Sequence, residues 1–384
     1  MTPLLRAEQA LLGAVLLDPG QLALLDWLEP QHFYRPGHRA VFEALRTLHR
    51  VGHAGFAPDA GKAARLALLV DAQAEASYQV RGLSASYVHT LVAACPVSGN
   101  AVVYGRMVLE GAIHRTVTEH AVRLHQAART DAAQGTAEHA LVQADVLADV
   151  LHDLAERWNT GLPPAVANPA LPGAAEVGCG EGVVADEEML LRVLTCERGA
   201  MEQVVGWLRP DDFAVREHGE VYRCLGVLHH RGEPIDEVTL TWEARRRGLL
   251  AAAVTTSERL AQLGESPGGD PGWYGEAVLR ACLARTAANA ARTVQALAED
   301  ESLAPGRLLS QALAALEPLD QVRARWQQAT GDAAPAEPAA ADGPRARAAL
   351  ARSSRTAPPR TAPPHHARAA ARSSAPLHRT DQHR

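Results

Sequence analysis

The chain has 384 residues, room for two or three domains, and its 47% apolar content is that of a globular protein. Aromatic residues make up only 4%, so cores must be built from Leu, Val and Ala, a composition that favours helices over sheets. The formal net charge of -6 argues against a protein that binds nucleic acid with its whole surface.

Apolar periodicity places helices near 6–17, 20–28, 37–50, 62–76, 84–94 and 100–129, and a further one near 136–158. The first of these, in MTPLLRAEQALLGAVLLDPG, carries Glu8 within its apolar run and no cleavage site, so it reads as an amphipathic helix and not a leader. A second set follows near 186–196, 199–208, 217–230, 237–248, 257–264 and 271–299, with an added helix near 304–328. The pair Asp270-Pro271 supplies an N-cap followed by proline at the first helical position. Proline and glycine mark 162–184 as a linker. From 331 to 384 the chain turns to Ala, Pro, Arg and Ser. With almost no large apolar residue to bury, this tail is expected to be disordered. It holds nine arginines against Asp332, Glu337, Asp342 and Asp381, a formal +5, which leaves about -11 on the rest. No apolar run approaches the roughly 20 residues that span a bilayer, so a soluble, cytoplasmic protein is expected, with no membrane partner.

The two sets of helices are copies of each other. Segment 27–52, WLEPQHFYRPGHRAVFEALRTLHRVG, aligns without a gap on 207–232, WLRPDDFAVREHGEVYRCLGVLHHRG, at an offset of 180. Identical pairs include Trp27/Trp207, Pro30/Pro210, Phe33/Phe213, His38/His218, Val41/Val221, Leu45/Leu225, Leu48/Leu228, His49/His229 and Gly52/Gly232. Carried upstream, the offset pairs Glu8 with Glu188 and Leu11 with Leu191; downstream it becomes 170 and pairs Tyr104 with Tyr274 and Arg115 with Arg285. Val41, Leu45 and Leu48 recur at one helical face. Pro30 and Pro210 end the preceding helix, Phe33 and Phe213 plug the turn, and Gly52 and Gly232 close the next helix. The expected structural core of the repeat is Trp27, Phe33, Val41, Leu45 and Leu48, with Trp207, Phe213, Val221, Leu225 and Leu228 in the second copy.

The order of a short apolar helix, a W-L-x-P-x-x-F turn, a helix ending in L-H-x-x-G and then G-x-P-I-D-x-x-T-L resembles the N-terminal domain of DnaB-type replicative helicases. DFAVREHGEVYRCLGVLHHRGEPIDEVTL at 212–240, RRRGLL at 245–250 and AEQALLGAVLLD at 7–18 carry the resemblance. It implies an all-α chain of two tandem orthogonal helical-bundle domains, to which the composition adds a disordered basic C-terminal tail. The expected organisation is copy one at 1–130, a helical extension at 131–161, the linker at 162–184, copy two at 185–300, a second extension at 301–330 and the tail at 331–384. Copy one departs from the pattern after Gly52, where HAGFAPDAGKAARL replaces the P-I-D-x-x-T-L step; copy two opens with EEMLLRVLTCERG in place of a Glu-Gln start.

The resembled helicases continue into a RecA-like motor, whereas here the chain enters a second N-terminal-type domain. A P-loop needs G-x-x-x-x-G-K-[ST], with backbone amides around the phosphates and a hydroxyl on magnesium. The only lysine, Lys62, follows Gly61 but precedes Ala63, and the glycine spacing from Gly55 is one residue too long. No nucleotide cofactor and no enzymatic activity are expected. The histidine pairs His49/His53, His120/His125, His229/His230 and His365/His366 form no H-E-x-x-H or Cys/His set, so no metal is expected. The five cysteines, Cys95, Cys179, Cys196, Cys224 and Cys282, form no C-x-x-C pair and read as reduced thiols.

In the resembled family these domains pair with each other and receive the primase. The expected function is therefore a replication-associated interaction module, with a replicative helicase or primase as partner and self-association open to it. Two other readings stand beside it. One is a DNA-binding accessory protein working through Arg345, Arg347, Arg352, Arg355 and Arg360 of the tail. The other is a helicase subunit whose motor is encoded separately. The tail has no aromatic residue to stack on bases, so its DNA contact would be to phosphates.

Overall fold

Several helix starts in this chain are fixed by side chains that accept the first orphan amides. In the computed structural model, Thr2 caps α1 (Pro3–Leu17), Ser84 caps α4 (Ala85–Ala94) and Asp270 caps α12 (Pro271–Glu299). The strongest cap opens α10 (Glu237–Arg246), where Asp236 Oδ1 accepts from Val238 N at 2.9 Å and Thr239 N at 2.8 Å, while Thr239 Oγ1 accepts from Asp236 N. The structure describes residues 2–158, 180–265 and 268–331, and no strand occurs among them.

Copy one runs α1, 3-10 turns at Pro19–Leu25 and Pro30–His32, α2 (Pro36–Arg50), α3 (Lys62–Gln79), α4, α5 (Ala101–Gln134) and α6 (Glu138–Arg157). Copy two repeats the order as α7 (Glu181–Cys196), α8 (Ala200–Val204), a 3-10 turn at Pro210–Asp212, α9 (Arg216–His230), α10, α11 (Ser257–Gln262), α12 and α13 (Pro305–Thr330). Two expected boundaries move. Helix α5 continues past 130 to Gln134, where Gly135 at φ +70° ends it, and α7 begins at Glu181, inside the stretch read as linker. The rest of that linker up to 179, and the tail from 332, lie outside the described residues.

Gly52 and Gly232 close α2 and α9 in the left-handed region, at φ +74° and +67°. The amides after them, His53 N and Glu233 N, return to Leu48 O and Leu228 O at 3.0 Å, the six-to-one bond of a Schellman stop.

The described residues form one unit, and its buried side chains explain why. One apolar cluster belongs to copy one and includes Leu11, Leu12, Leu28, Phe33, Phe42, Leu45, Leu91 and Val108. The second takes in the core of copy two and also Ile113, Val117, Leu124 and Ala128 of α5 and Leu147 and Leu151 of α6. Helix α5 therefore serves two cores: its first turns seal copy one, and the rest lies in a common core with α6, α12 and α13. Small buried residues along these helices, such as Ala121, Ala144, Ala287 and Ala291, let the axes approach closely.

Candidate interaction surfaces

The helix–turn–helix block of each copy is held from inside by a buried carboxylate. Glu8 of α1 accepts from the backbone amides of Tyr34 and Arg35, the latter at 3.4 Å, and from His38 Nδ1 at 2.6 Å. Glu187 of α7 accepts from Ala214 N at 2.5 Å, Val215 N at 3.3 Å and His218 Nδ1 at 2.8 Å. The four side chains are almost wholly buried. Each carboxylate thus satisfies the chain as it enters α2 or α9, where amides have no helical partner. This corrects the pairing of Glu8 with Glu188. The first helices are related by 179 residues and not 180, because the connection to the tryptophan is one residue longer in copy two. Glu188 instead turns outward to Arg192 and Arg259, at 2.7 and 3.0 Å.

A second device is also duplicated. Arg115 NH2 of α5 donates to His32 O at 3.0 Å, and Arg285 NH2 of α12 donates to Asp212 O at 2.7 Å. Both arginines tie the long helix to the end of the proline turn. Within that turn His32 Nδ1 accepts from Glu29 N at 3.0 Å and Asp212 Oδ2 accepts from Arg209 N at 2.7 Å. The exchange of His for Asp changes what else the turn can bind. Asp212 is also paired by both terminal nitrogens of Arg325 from α13, whereas His32 has its pKa lowered by burial, with Arg157 and Arg115 adding to the effect against Glu29.

Of the expected core residues, Phe33, Val41, Leu45, Phe213, Val221, Leu225 and Leu228 are buried, and Leu48 and Trp207 are partly buried against the clusters. Phe33 lies 4.9 Å from Phe42 and Phe213 lies 5.1 Å from Tyr222, ring centre to ring centre. Trp27 is a correction: it is 41% exposed and covers the backbone of Gly105 at the rim, with its indole N–H on Leu24 O. Trp207 covers Gly275 in the same way. The tail arginines Arg345, Arg347, Arg352, Arg355 and Arg360 lie outside the described residues.

Polar contacts that spacing could not foretell join the copies. His114 of α5 sits with Nδ1 2.9 Å from Ala298 O, at the end of α12, and Nε2 3.0 Å from Leu303 O, before α13. Arg323 of α13 reaches Asp145 Oδ1 at 2.7 Å and Leu141 O at 3.1 Å on α6.

An open apolar feature lies on copy two, beside α10. A shallow groove of about 200 Å3 is lined by Leu228, Glu233, Val238, Thr239, Trp242 and Glu243. Val238 and Trp242, one turn apart, are 70% and 58% exposed, while Leu240 and Ala244 on the opposite face are buried. Arg245 stands 5.3 Å over the Trp242 ring. Buried Glu243 gathers Arg231, Arg246 and Arg247 at 3.0, 3.9 and 3.3 Å.

The DnaB-like helicase N-terminal domain matches the chain twice, over residues 2–110 and 183–269, just over half of its length. The chain belongs to the DnaB-like helicase N-terminal domain family. Among curated proteins it is similar to the replicative DNA helicase DnaB of Mycobacterium leprae (strain TN), at 32% identity over 124 residues, 32% of this chain and 19% of that helicase. It is also similar to the replicative DNA helicase DnaB of Geobacillus stearothermophilus, at 33% over 124 residues, 32% of this chain and 25% of that protein. The chain therefore spans only about a fifth to a quarter of these relatives. No solved structure matches it significantly.

Both DnaB-like segments fall on the N-terminal domain model, and neither on an ATPase. Lys62, the sole lysine, opens α3 directly after Gly61. Among the described residues no group of His, Cys, Asp and Glu could hold a metal ion. Nor, among them, is any single helix long and apolar enough to cross a membrane. The one bent pair that passes on length and composition turns by 87° and places Val88, Leu91, Ala101 and Val108 in a core.

Proposed function

We infer that this DnaB-like chain is a non-enzymatic, cytoplasmic interaction module of DNA replication that docks on a replicative helicase, a primase, or both. One observation carries the reading. Two diverged DnaB-like N-terminal domains share a core through α5, α6, α12 and α13, so one chain presents two heads in a fixed relation. A tether between them keeps the effective concentration of each for the other at roughly millimolar, so the pairing would not depend on assembly from separate chains. The arginines of the tail, from Arg345 to Arg360, add a nonspecific contact to DNA phosphates.

The test is a pulldown of the tagged full chain from its native cell, probed for helicase and primase. Recovery of either supports docking; recovery of neither overturns it. The purified chain is expected to release no phosphate from ATP, and activity abolished by Lys62→Ala would refute the non-enzymatic reading. The tail contact predicts DNA affinity that falls steeply with salt and is lost when residues after Gly331 are removed.

A further inference from the structure

Helix α10 is short, exposed along one side, and unevenly charged. Its N-terminal end carries Glu237, with Glu233 on the rim of the adjoining groove, and its C-terminal end carries Arg245, Arg246 and Arg247. Between the two ends lie Val238 and Trp242, both more than half exposed. Acidic residues at a helix start and basic ones at its end suit the helix dipole, but the dipole gives no reason for a tryptophan and a valine in water between them. Arg245 is the basic residue least engaged: its contact is the Trp242 ring, and among the described residues no carboxylate lies within ion-pair distance of it.

This pattern is self-complementary. If α10 meets another α10 antiparallel, the acidic end of each faces the basic end of the other, and each valine meets a tryptophan. A contact in which one patch binds itself must be built in this way, around a two-fold axis. Copy one differs on the equivalent side in its apolar residues and not in the self-complementarity of its charges. Leu66 and Val70 of α3 are also exposed, at 56% and 57%, but no aromatic side chain stands between its charged ends, Lys62 and Arg65 on one and Asp71 and Glu75 on the other.

We propose that two copies of this chain pair through α10 around a two-fold axis. Val238 of each packs on Trp242 of the other, and Glu233 and Glu237 of each oppose Arg245 and Arg246 of the other. One short helix and its rim cover less than a stable dimer needs, so the association is weak, on the order of micromolar, and falls with added salt. The proposal is independent of which replication protein the chain docks on, because it concerns the purified chain alone.

Sedimentation velocity of the full chain over a concentration series, at low and high salt, tests it. The expected result is a monomer–dimer equilibrium that stops at two. Trp242→Ser and Arg245→Glu/Arg246→Glu should each weaken it roughly tenfold or more, with an unchanged helical spectrum. Glu233→Arg/Glu237→Arg should also fail to pair with itself, yet should form a mixed dimer with the Arg245→Glu/Arg246→Glu chain. Leu66→Ser/Val70→Ser should leave the dimer intact. A monomer at every concentration overturns the proposal. So does a dimer indifferent to Trp242→Ser, an assembly that continues beyond two, or loss of association in Leu66→Ser/Val70→Ser.

Discussion

Glu8 Oε2 and His38 Nδ1 lie 2.6 Å apart with both side chains at 0% exposure, and Glu187 and His218 repeat the contact at 2.8 Å. Each carboxylate has three donors, two of them backbone amides, so deleting it strands all three. Glu8→Ala and Glu187→Ala should each lower unfolding free energy by about 3–5 kcal/mol. Glu8→Gln, which keeps an acceptor, should cost less. Urea denaturation followed by circular dichroism measures the difference, and a loss below about 1 kcal/mol for the alanine variants would reject the assigned role.

Asp212 and Arg325 fasten α13 to the proline turn of copy two. Burial alone would lower the Arg325 pKa, but the hydrogen bonds and charge of Asp212 overcome it and raise the value. Arg325→Ala leaves a buried carboxylate facing Cys282 Sγ at 3.5 Å and should destabilise by about 3 kcal/mol. Asp212→Asn/Arg325→Met, which removes both charges, should recover much of that loss. A double-mutant cycle by thermal or urea unfolding reads the coupling directly.

Gly105 and Gly275 lie beneath equivalent tryptophans, but the clearances differ. A Cβ on Gly275 would stand 2.5 Å from Trp207 and 3.0 Å from Val204, whereas one on Gly105 would meet Leu25 and Trp27 at 3.1 Å. Gly275→Ala should cost about 1–3 kcal/mol and shift the tryptophan emission, with Gly105→Ala the milder of the two. Reversal of that order would be a failure of the prediction.

The thiols of Cys224 and Cys282 are pushed up to about 11 by burial, from an ordinary value near 9. The unfolded chain therefore loses these protons at lower pH than the folded chain does. Stability is fully present below the unfolded value and falls as pH rises through the window from about 9 to about 11. Unfolding midpoints across that window should decline, and the decline should flatten in Cys224→Ala/Cys282→Ala.

Both ring nitrogens of His114 lie within hydrogen-bond distance of carbonyl oxygens across the copies, so whichever nitrogen carries the N–H donates there, and His114→Ala should cost about 1–2 kcal/mol. Protection of amides near Ala298 and Leu303, read by hydrogen exchange, should fall more than protection within α2 or α9.

Much of this was legible in the chain itself, for reasons of local physics. The proline turns, their phenylalanines and the glycine stops depend on neighbours in sequence, so spacing shows them. The Glu–His pairs were half visible: both histidines aligned, but Glu187 stands beside Glu188, and a gapless alignment selected the wrong carboxylate. The one-residue slip lies in the variable connection before Trp207, where nothing in the sequence marks it. Trp27 looked like core because it is large and repeated, yet a tryptophan over a glycine at a rim keeps an edge in solvent. His114, Arg323 and Arg325 act across distances of more than a hundred residues, and periodicity carries no information about such contacts.

The common core of α5, α6, α12 and α13 makes the chain hard to take apart. Either half expressed alone would expose Leu124 and Leu147, or Leu283 and Leu309, to water. A protease site placed between 159 and 179 should therefore yield two fragments that migrate together and melt in a single transition. A gene cut at the same place should yield halves that precipitate unless they are made in the same cell.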